Sequence, residues 1–372
     1  MASLIDCIAL SFVPGLGVSS YWRLLDHFGT PERVLAAREG ELQRVAGLGR
    51  RQFGGLLSGG DHRLQARGEL ERLRSMGGFA LSFADADYPA LLRHLTDPPP
   101  VLYGLGRREL LGARAVAVVG SRAATGYGRK VAFVIGEQLA RGKFAVASGL
   151  ALGIDAQAHA GALQGEGDTV AVLGCGLDII YPQLNRPLFD MIRARGLLLS
   201  EYPLGTKPEG FRFPARNRLI AAMSLAVVVV EAAKRSGSLI TAQIALDLGR
   251  EVFAVPGPID SHKSEGTHWL LKQGASLVRG SADILEELHG AAWTDVERRE
   301  EKSMQAAAGL EPEAASVLAL LDTSPSARET LLLESGLEPA RLNELLLVLE
   351  LEGLVELLAG DRVCRAAGRP LH

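Results

Sequence analysis

The stretch FRFPARNRLIAAMSLAVVVVEAAKRSGSLITA, residues 211–242, decides how this chain is read. Leu225 to Val230 is wholly apolar and rich in valine, the composition of a strand covered on both faces in a parallel sheet. It ends at Glu231 and passes through a small-residue turn, Lys234-Arg235-Ser236-Gly237-Ser238, into a helical pattern. In open α/β sheets, ligands bind outside the carboxyl ends of the strands. The first turn of a helix also offers unpaired N–H groups to an anion. Arg212, Arg216 and Arg218 stand just ahead of the strand, so cations lie near that corner.

The same unit repeats on either side. Apolar strands are expected at 115–119, 144–147, 169–173 and 197–199. The loops that follow them are Gly120-Ser121-Arg122, Ser148 to Asp155, Gly174-Cys175-Gly176 and Ser200-Glu201-Tyr202-Pro203. Downstream, 251–255 runs into Pro256-Gly257-Pro258, and 274–278 adds an edge strand. Helical patterns fall between, one over 128–141 and another carrying His159. Strands alternating with helices of this length give an α/β fold with a doubly wound parallel sheet and right-handed crossovers. Two short strands, 79–83 and 101–103, come before it. Between them Asp97-Pro98-Pro99-Pro100 enforces extended backbone.

Composition agrees. Of 372 residues, 47% are hydrophobic, 5% aromatic and 43 are glycine, so small aliphatic side chains build the core and glycines the turns. The net charge of −3 confines any polyanion site to a local basic patch. Cys7, Cys175 and Cys364 are scattered, with neither a disulfide framework nor metal-ligand spacing, which fits a reducing cytoplasm. No run approaches the ~20 apolar residues of a membrane span, and the start lacks the basic region of a signal peptide.

Residues 1–65 read as a helical domain. Val13-Pro14-Gly15-Leu16-Gly17 and Val45-Ala46-Gly47-Leu48-Gly49 resemble the turns of helix-hairpin-helix and SAM-like modules, although such turns also serve simply to let two helices cross. Residues 66–286 form the sheet domain and 287–311 a charged linker. Residues 312–372 read as three short helices and a terminal hairpin, a winged-helix-like domain. Between Glu311 and Gly360 that domain carries two basic residues, Arg328 and Arg341, against ten acids. A duplex reader needs cations for the phosphates, so protein contacts are expected of it instead.

Several chemistries fail on spacing. Gly120-Ser121-Arg122-Ala123-Ala124-Thr125-Gly126 is not the dinucleotide fingerprint, and no Walker sequence is present. Cys175 and the serines lack a nucleophile-elbow context. Asp155 fits a helix cap and His159 a structural hydrogen-bonder. Three readings stay open. One is a nucleotide-handling hydrolase of the phosphoribohydrolase kind, using Glu201 or Glu231. Another is an adaptor whose glycine loops bind nothing. The third is a binder of single-stranded nucleic acid. Lys207, Phe211, Arg212, Phe213, Arg216 and Arg218 mix cations with rings, as stacking of unpaired bases requires. Phe213, ahead of Pro214, is expected in the core.

Six segments in order resemble one family. They are GSRAATGYG (120–128), SGLALGIDAQAH (148–159), AVLGCGLDIIYPQLN (171–185), LSEYPLGTKPEGFRFPARNRLIAAMS (199–224), VVVEAAKRSGSLITA (228–242) and GREVFAVPGP (249–258). Together they are similar to the bacterial DNA-processing protein A (DprA/Smf) family. The resemblance implies an extended Rossmann domain, no cofactor and no enzymatic activity. It implies sequence-independent binding of single-stranded DNA, a homodimer, and loading of the RecA recombinase in natural transformation. Carried over by position, the DNA-binding residues are Ser121, Arg122, Gly149, Phe211, Arg212, Arg216, Asn217, Arg218, Lys234, Ser236, Gly237 and Ser238. One departure is His268-Trp269 after Gly266-Thr267, where the family usually shows Asn.

Overall fold

Runs of valine, alanine and leucine set the centre of the molecule, because only strands buried on both faces accept them so continuously. The computed structural model describes residues 3–45, 47–57, 61–290, 311–321, 326–351, 354–358 and 361–365. It divides into two compact units, Met1–Glu286 and Glu287–His372.

The first unit is built on a nine-stranded sheet: β1 (Gly78–Ser82), β2 (Val101–Gly106), β3 (Ala115–Val119), β4 (Ala145–Ser148), β5 (Thr169–Leu173), β6 (Leu197–Ser200), β7 (Ser224–Val229), β8 (Glu251–Ala254) and β9 (Ser276–Leu277). Their order is β1-β2-β6-β5-β4-β3-β7-β8-β9. From β6 to β9 every pairing is parallel. The β1–β2 hairpin extends that sheet, with β2 antiparallel to β6.

Alternation along each strand serves the two faces. Val170, Val172, Leu197 and Leu199 pack on one side with Leu219, Ile220, Ala242, Ala245 and Leu270. These last belong to the helices Arg212–Ala222, Gly237–Asp247 and Glu265–Lys272. Ala171, Leu173 and Leu198 pack on the other side with Ala156, Leu163, Phe189 and Ile192. That second face also takes Cys7 and Ile8 of the helix Leu4–Ser11 and Ala66, Leu70 and Leu73 of the helix His62–Ser75. The division expected at residue 65 therefore lies inside a helix. The helices between have a smaller core of their own, around Tyr21, Leu24, Val34 and Leu42.

The second unit has helices Pro312–Ala319, Arg328–Ser335 and Pro339–Leu351 with β10 (Ser326–Ala327), β11 (Val355–Leu358) and β12 (Arg362–Arg365), in sheet order β10-β12-β11. This is the winged-helix arrangement the sequence predicts. Of the linker expected at 287–311, residues 287–290 continue the helix Ser281–Gly290, and 291–310 lie outside the described residues. Among the described residues no helix is long and apolar enough to cross a membrane, and no His/Cys/Asp/Glu group could hold a metal.

Candidate nucleic-acid interface

The chain leaves β3 toward β4, β5 and β6, then returns to β3's other side with β7. A doubly wound sheet opens its ligand crevice at such a reversal. Here Glu231, buried at the end of β7, fills it. Its carboxylate accepts hydrogen bonds from the Thr125 N–H (3.0 Å) and the Thr125 hydroxyl, and its carbonyl accepts from the Ser121 N–H (2.8 Å). Gly128 makes room: a Cβ there would come within 2.3 Å of the Glu231 carboxyl carbon. The helix Gly126–Arg141 thus receives its N-terminal anion from within the chain. A cofactor pyrophosphate finds the place taken.

The opening moves instead to the ends of β4 and β5. A cleft of about 450 Å³, counting its open mouth, is lined by Arg122, Gly149, Leu152, Tyr181, Phe213 and Arg216 among others. Its floor is a buried charge pair around one peptide. Arg216, 3% exposed, donates through Nη1 to the Gly149 carbonyl (2.9 Å) and to the Val172 carbonyl. The Asp155 carboxylate accepts the Gly149 N–H at 3.2 Å. A Cβ on Gly149 would lie 2.3 Å from the Arg216 guanidinium, so a larger residue there would push the arginine out of place. Burial pushes the Asp155 carboxyl up and brings Arg216 down to about 10, each countered by the other's charge. Arg216 therefore remains cationic at neutral pH.

The wall of the cleft is aromatic. Phe213 stacks on Tyr181, ring centres 5.4 Å apart and planes inclined by 24°. The Arg122 guanidinium lies 4.9 Å from the Phe213 ring centre. Phe213, expected in the core, is only partly buried. It falls in the first turn of the helix Arg212–Ala222, and that turn faces the loops at the strand ends rather than the sheet. Tyr181, within the family-like segment 171–185, was not among the expected site residues. Its position beside Pro182, ten residues past the middle of β5, gave no hint of a partner on another helix.

The remaining expected residues divide. Arg212 and Arg216 are four apart and share a helix face, whereas Arg218 lies ~200° round from Arg216. Arg218 pairs with Glu201 outside the cleft, and burial pushes the Glu201 carboxyl up against that arginine's opposing pull. Arg212 sits over Tyr202 (4.9 Å) and Phe211 (5.1 Å), and Phe211 is 67% exposed. Asn217 reaches the Gly237 carbonyl at 3.4 Å.

Three sets of the expected residues have partners within the chain. The Ser121 N–H is committed to Glu231. The Ser236 hydroxyl caps its own helix through the Ser238 N–H (3.4 Å), with the Ser238 hydroxyl 2.8 Å away. Arg216 and Arg218 are held by internal partners, the Gly149 carbonyl and the Glu201 carboxylate. Lys234, Arg122 and Gly237 are exposed.

The acids and the histidine are likewise engaged. Asp178 accepts the Gly205 N–H (2.8 Å). His159 is fully buried with Nδ1 2.7 Å from the Thr169 hydroxyl, which donates to the Val146 carbonyl. Burial lowers its pKa to about 3, so it is neutral. Cys175 is buried, and its thiol is pushed up to about 11.

Residues 79–289 match the family model described as DNA recombination-mediator protein A, and residues 301–361 match the DprA winged helix domain. The chain belongs to the DNA recombination-mediator protein A family. Protein Smf of Synechocystis is 42% identical over 285 residues, 76% of this chain and 71% of that protein. Protein Smf of Escherichia coli is 48% identical over 213 residues, 56% of this chain and 57% of its own. The crystal structure of DNA processing protein A from Streptococcus pneumoniae superposes with a TM-score of 0.68 at 36% identity, covering 77% of this chain and 99% of that one. DNA processing protein A of Helicobacter pylori, a structure that gives insight into that protein's unique single-stranded DNA binding mode, superposes at 0.51 with 32% identity, covering 57% and 95%.

Proposed function

We propose that this chain is a sequence-independent binder of single-stranded DNA, acting in the cytoplasm in natural transformation and recombination. The observation that carries this reading is the cleft at the ends of β4 and β5, where Arg122 lies over the Phe213–Tyr181 stack and Arg216 supplies a buried positive charge. An unpaired base finds ring faces there and its phosphate finds a guanidinium, the combination that suits single strands of any sequence. Phe211, Arg212 and Asn217 extend the rim.

It works as a binding protein rather than an enzyme: the acids a hydrolase would use, Glu201 and Glu231, are committed to Arg218 and Thr125. We further propose a homodimer that delivers its strand to the RecA recombinase. Exposed Ile240, Leu246 and Trp269 on the helices Gly237–Asp247 and Glu265–Lys272 offer an apolar surface for the second copy. Titrating labelled oligo-dT and a duplex of equal length at several salt concentrations tests the central claim. The single strand should bind more tightly, with log K falling by ~0.7 per contacted phosphate per unit of log salt. Equal affinity for the duplex would refute it.

A further inference from the structure

Beyond Arg122, on the side away from the cleft, three loops are knitted into one surface. The Ser121 N–H donates to the Glu231 carbonyl (2.8 Å), and the Ala232 N–H donates to the Lys263 carbonyl (2.8 Å). The Gly266 N–H donates to the Ala232 carbonyl (2.8 Å), and the Lys263 ammonium reaches the Ala123 carbonyl. The loops after β3, β7 and β8 are thereby fixed relative to one another, directly over the crevice that Glu231 fills. Lys234, Arg235 and His262 stand exposed on this shelf. Among the described residues none of the three has a hydrogen bond or ion pair to hold it back.

Asp260 and Glu265 are the acids nearby in sequence, also exposed. Glu231 is buried beneath the shelf, and the cations Lys234, Arg235, Lys263 and Arg122 outnumber the three acids by one. Apolar surface is present as well. Tyr127 is 53% exposed, its hydroxyl 3.5 Å from the Pro256 carbonyl, and Ile259 is 95% exposed. Cations interleaved with exposed apolar side chains, on a frame that cannot rearrange, are the elements of a track for single-stranded nucleic acid.

We propose that a single strand seated in the cleft continues past Arg122 across this shelf. Lys234, Arg235 and His262 form a second phosphate site, with Tyr127 and Ile259 as its apolar bed. The proposal rests on the single-strand reading of the cleft and adds a path and a footprint to it. The filled reversal point becomes useful in this light: Glu231 closes a crevice that would otherwise interrupt a continuous surface.

The test uses the full chain and two oligo-dT lengths, one on the order of 5 nucleotides and one on the order of 20, spanning the usual range of single-strand sites. The triple variant Lys234→Ala, Arg235→Ala, His262→Ala should bind the short oligonucleotide within twofold of the unmodified chain. It should bind the long one about tenfold or more weakly, and its salt slope there should fall by ~0.7 for each phosphate released. Unchanged binding of the long oligonucleotide would overturn the shelf, as would an equal loss on both lengths with an unaltered melting temperature. Arg122→Ala separates the two readings. If it leaves both lengths unaffected, the cleft is wrong and the shelf falls with it. If it weakens both while the triple variant weakens neither, the cleft stands and only the shelf is lost.

Discussion

The Arg216 guanidinium donates to the Gly149 carbonyl at 2.9 Å, joining a helix to a loop 67 positions away in the chain. With Asp155 on the Gly149 N–H, this one peptide is clamped from both ends. Removing one member of a buried charged pair costs ~3–5 kcal/mol. Arg216→Ala should therefore lower the urea midpoint sharply and lose DNA binding as a consequence. A variant with wild-type unfolding but lost binding would show instead that Arg216 acts chiefly on the ligand.

Arg122 should behave oppositely. It is exposed and rests on Phe213. Arg122→Ala should shift stability by no more than about 0.5 kcal/mol while weakening oligo-dT binding and reducing the salt slope by ~0.7. Phe213→Ala should cost ~1–3 kcal/mol of binding from lost stacking and leave the salt slope alone. Fluorescence titrations at four salt concentrations distinguish the two effects.

Glu69 is predicted to position the basic loop from a distance. It is 1% exposed, accepts the Leu204 N–H at 2.6 Å through one oxygen, and pairs with Arg72 at 2.5 Å through the other. Leu204 begins the segment that leads to Phe211 and Arg212. Glu69→Ala leaves that N–H unpaired, at ~1–3 kcal/mol, and should weaken DNA binding several-fold. Glu69→Gln keeps an acceptor for Leu204 and should recover most of the binding. Equal damage from both variants would argue against the hydrogen bond.

The buried His159 sets a pH dependence. Its pKa falls from an ordinary 6.5 to about 3 in the folded chain, so below pH 6.5 the unfolded chain takes up a proton that the native state refuses. Stability on this account falls as pH drops from about 6.5 toward 3. Asp155 and Glu201, raised by burial, work in the other direction, so the comparison must be with His159→Gln. The wild-type advantage over that variant, measured by denaturant unfolding, should shrink steadily between pH 7 and pH 4. A constant gap would mean the histidine titrates normally.

The second unit should add nothing to DNA affinity. Two basic residues stand against ten acids between Glu311 and Gly360, and Arg341 is already shared among Glu311, Glu313 and Glu344. A chain ending at residue 290 should bind oligo-dT at least as tightly as the whole protein. A tenfold loss would assign the winged helix a direct role.

The amino-acid sequence by itself determined the strands, their parallel winding and the winged-helix arrangement, because these follow from local periodicity and from glycines where strands meet helices. β3, and β5 and β7 after their first residues, are legible as apolar runs. The family resemblance also singled out Arg122 and Gly149, two residues that line the cleft. What the sequence could not determine is which cations remain available. Arg212, Arg216 and Arg218 look equivalent in one dimension, yet the helix turns Arg218 toward Glu201 and sinks Arg216 beneath Gly149. Only the tertiary structure decided that Glu231 fills the reversal point and that Tyr181 meets Phe213. Both depend on side chains tens of residues apart being brought together, which a charge's own neighbours in sequence do not record.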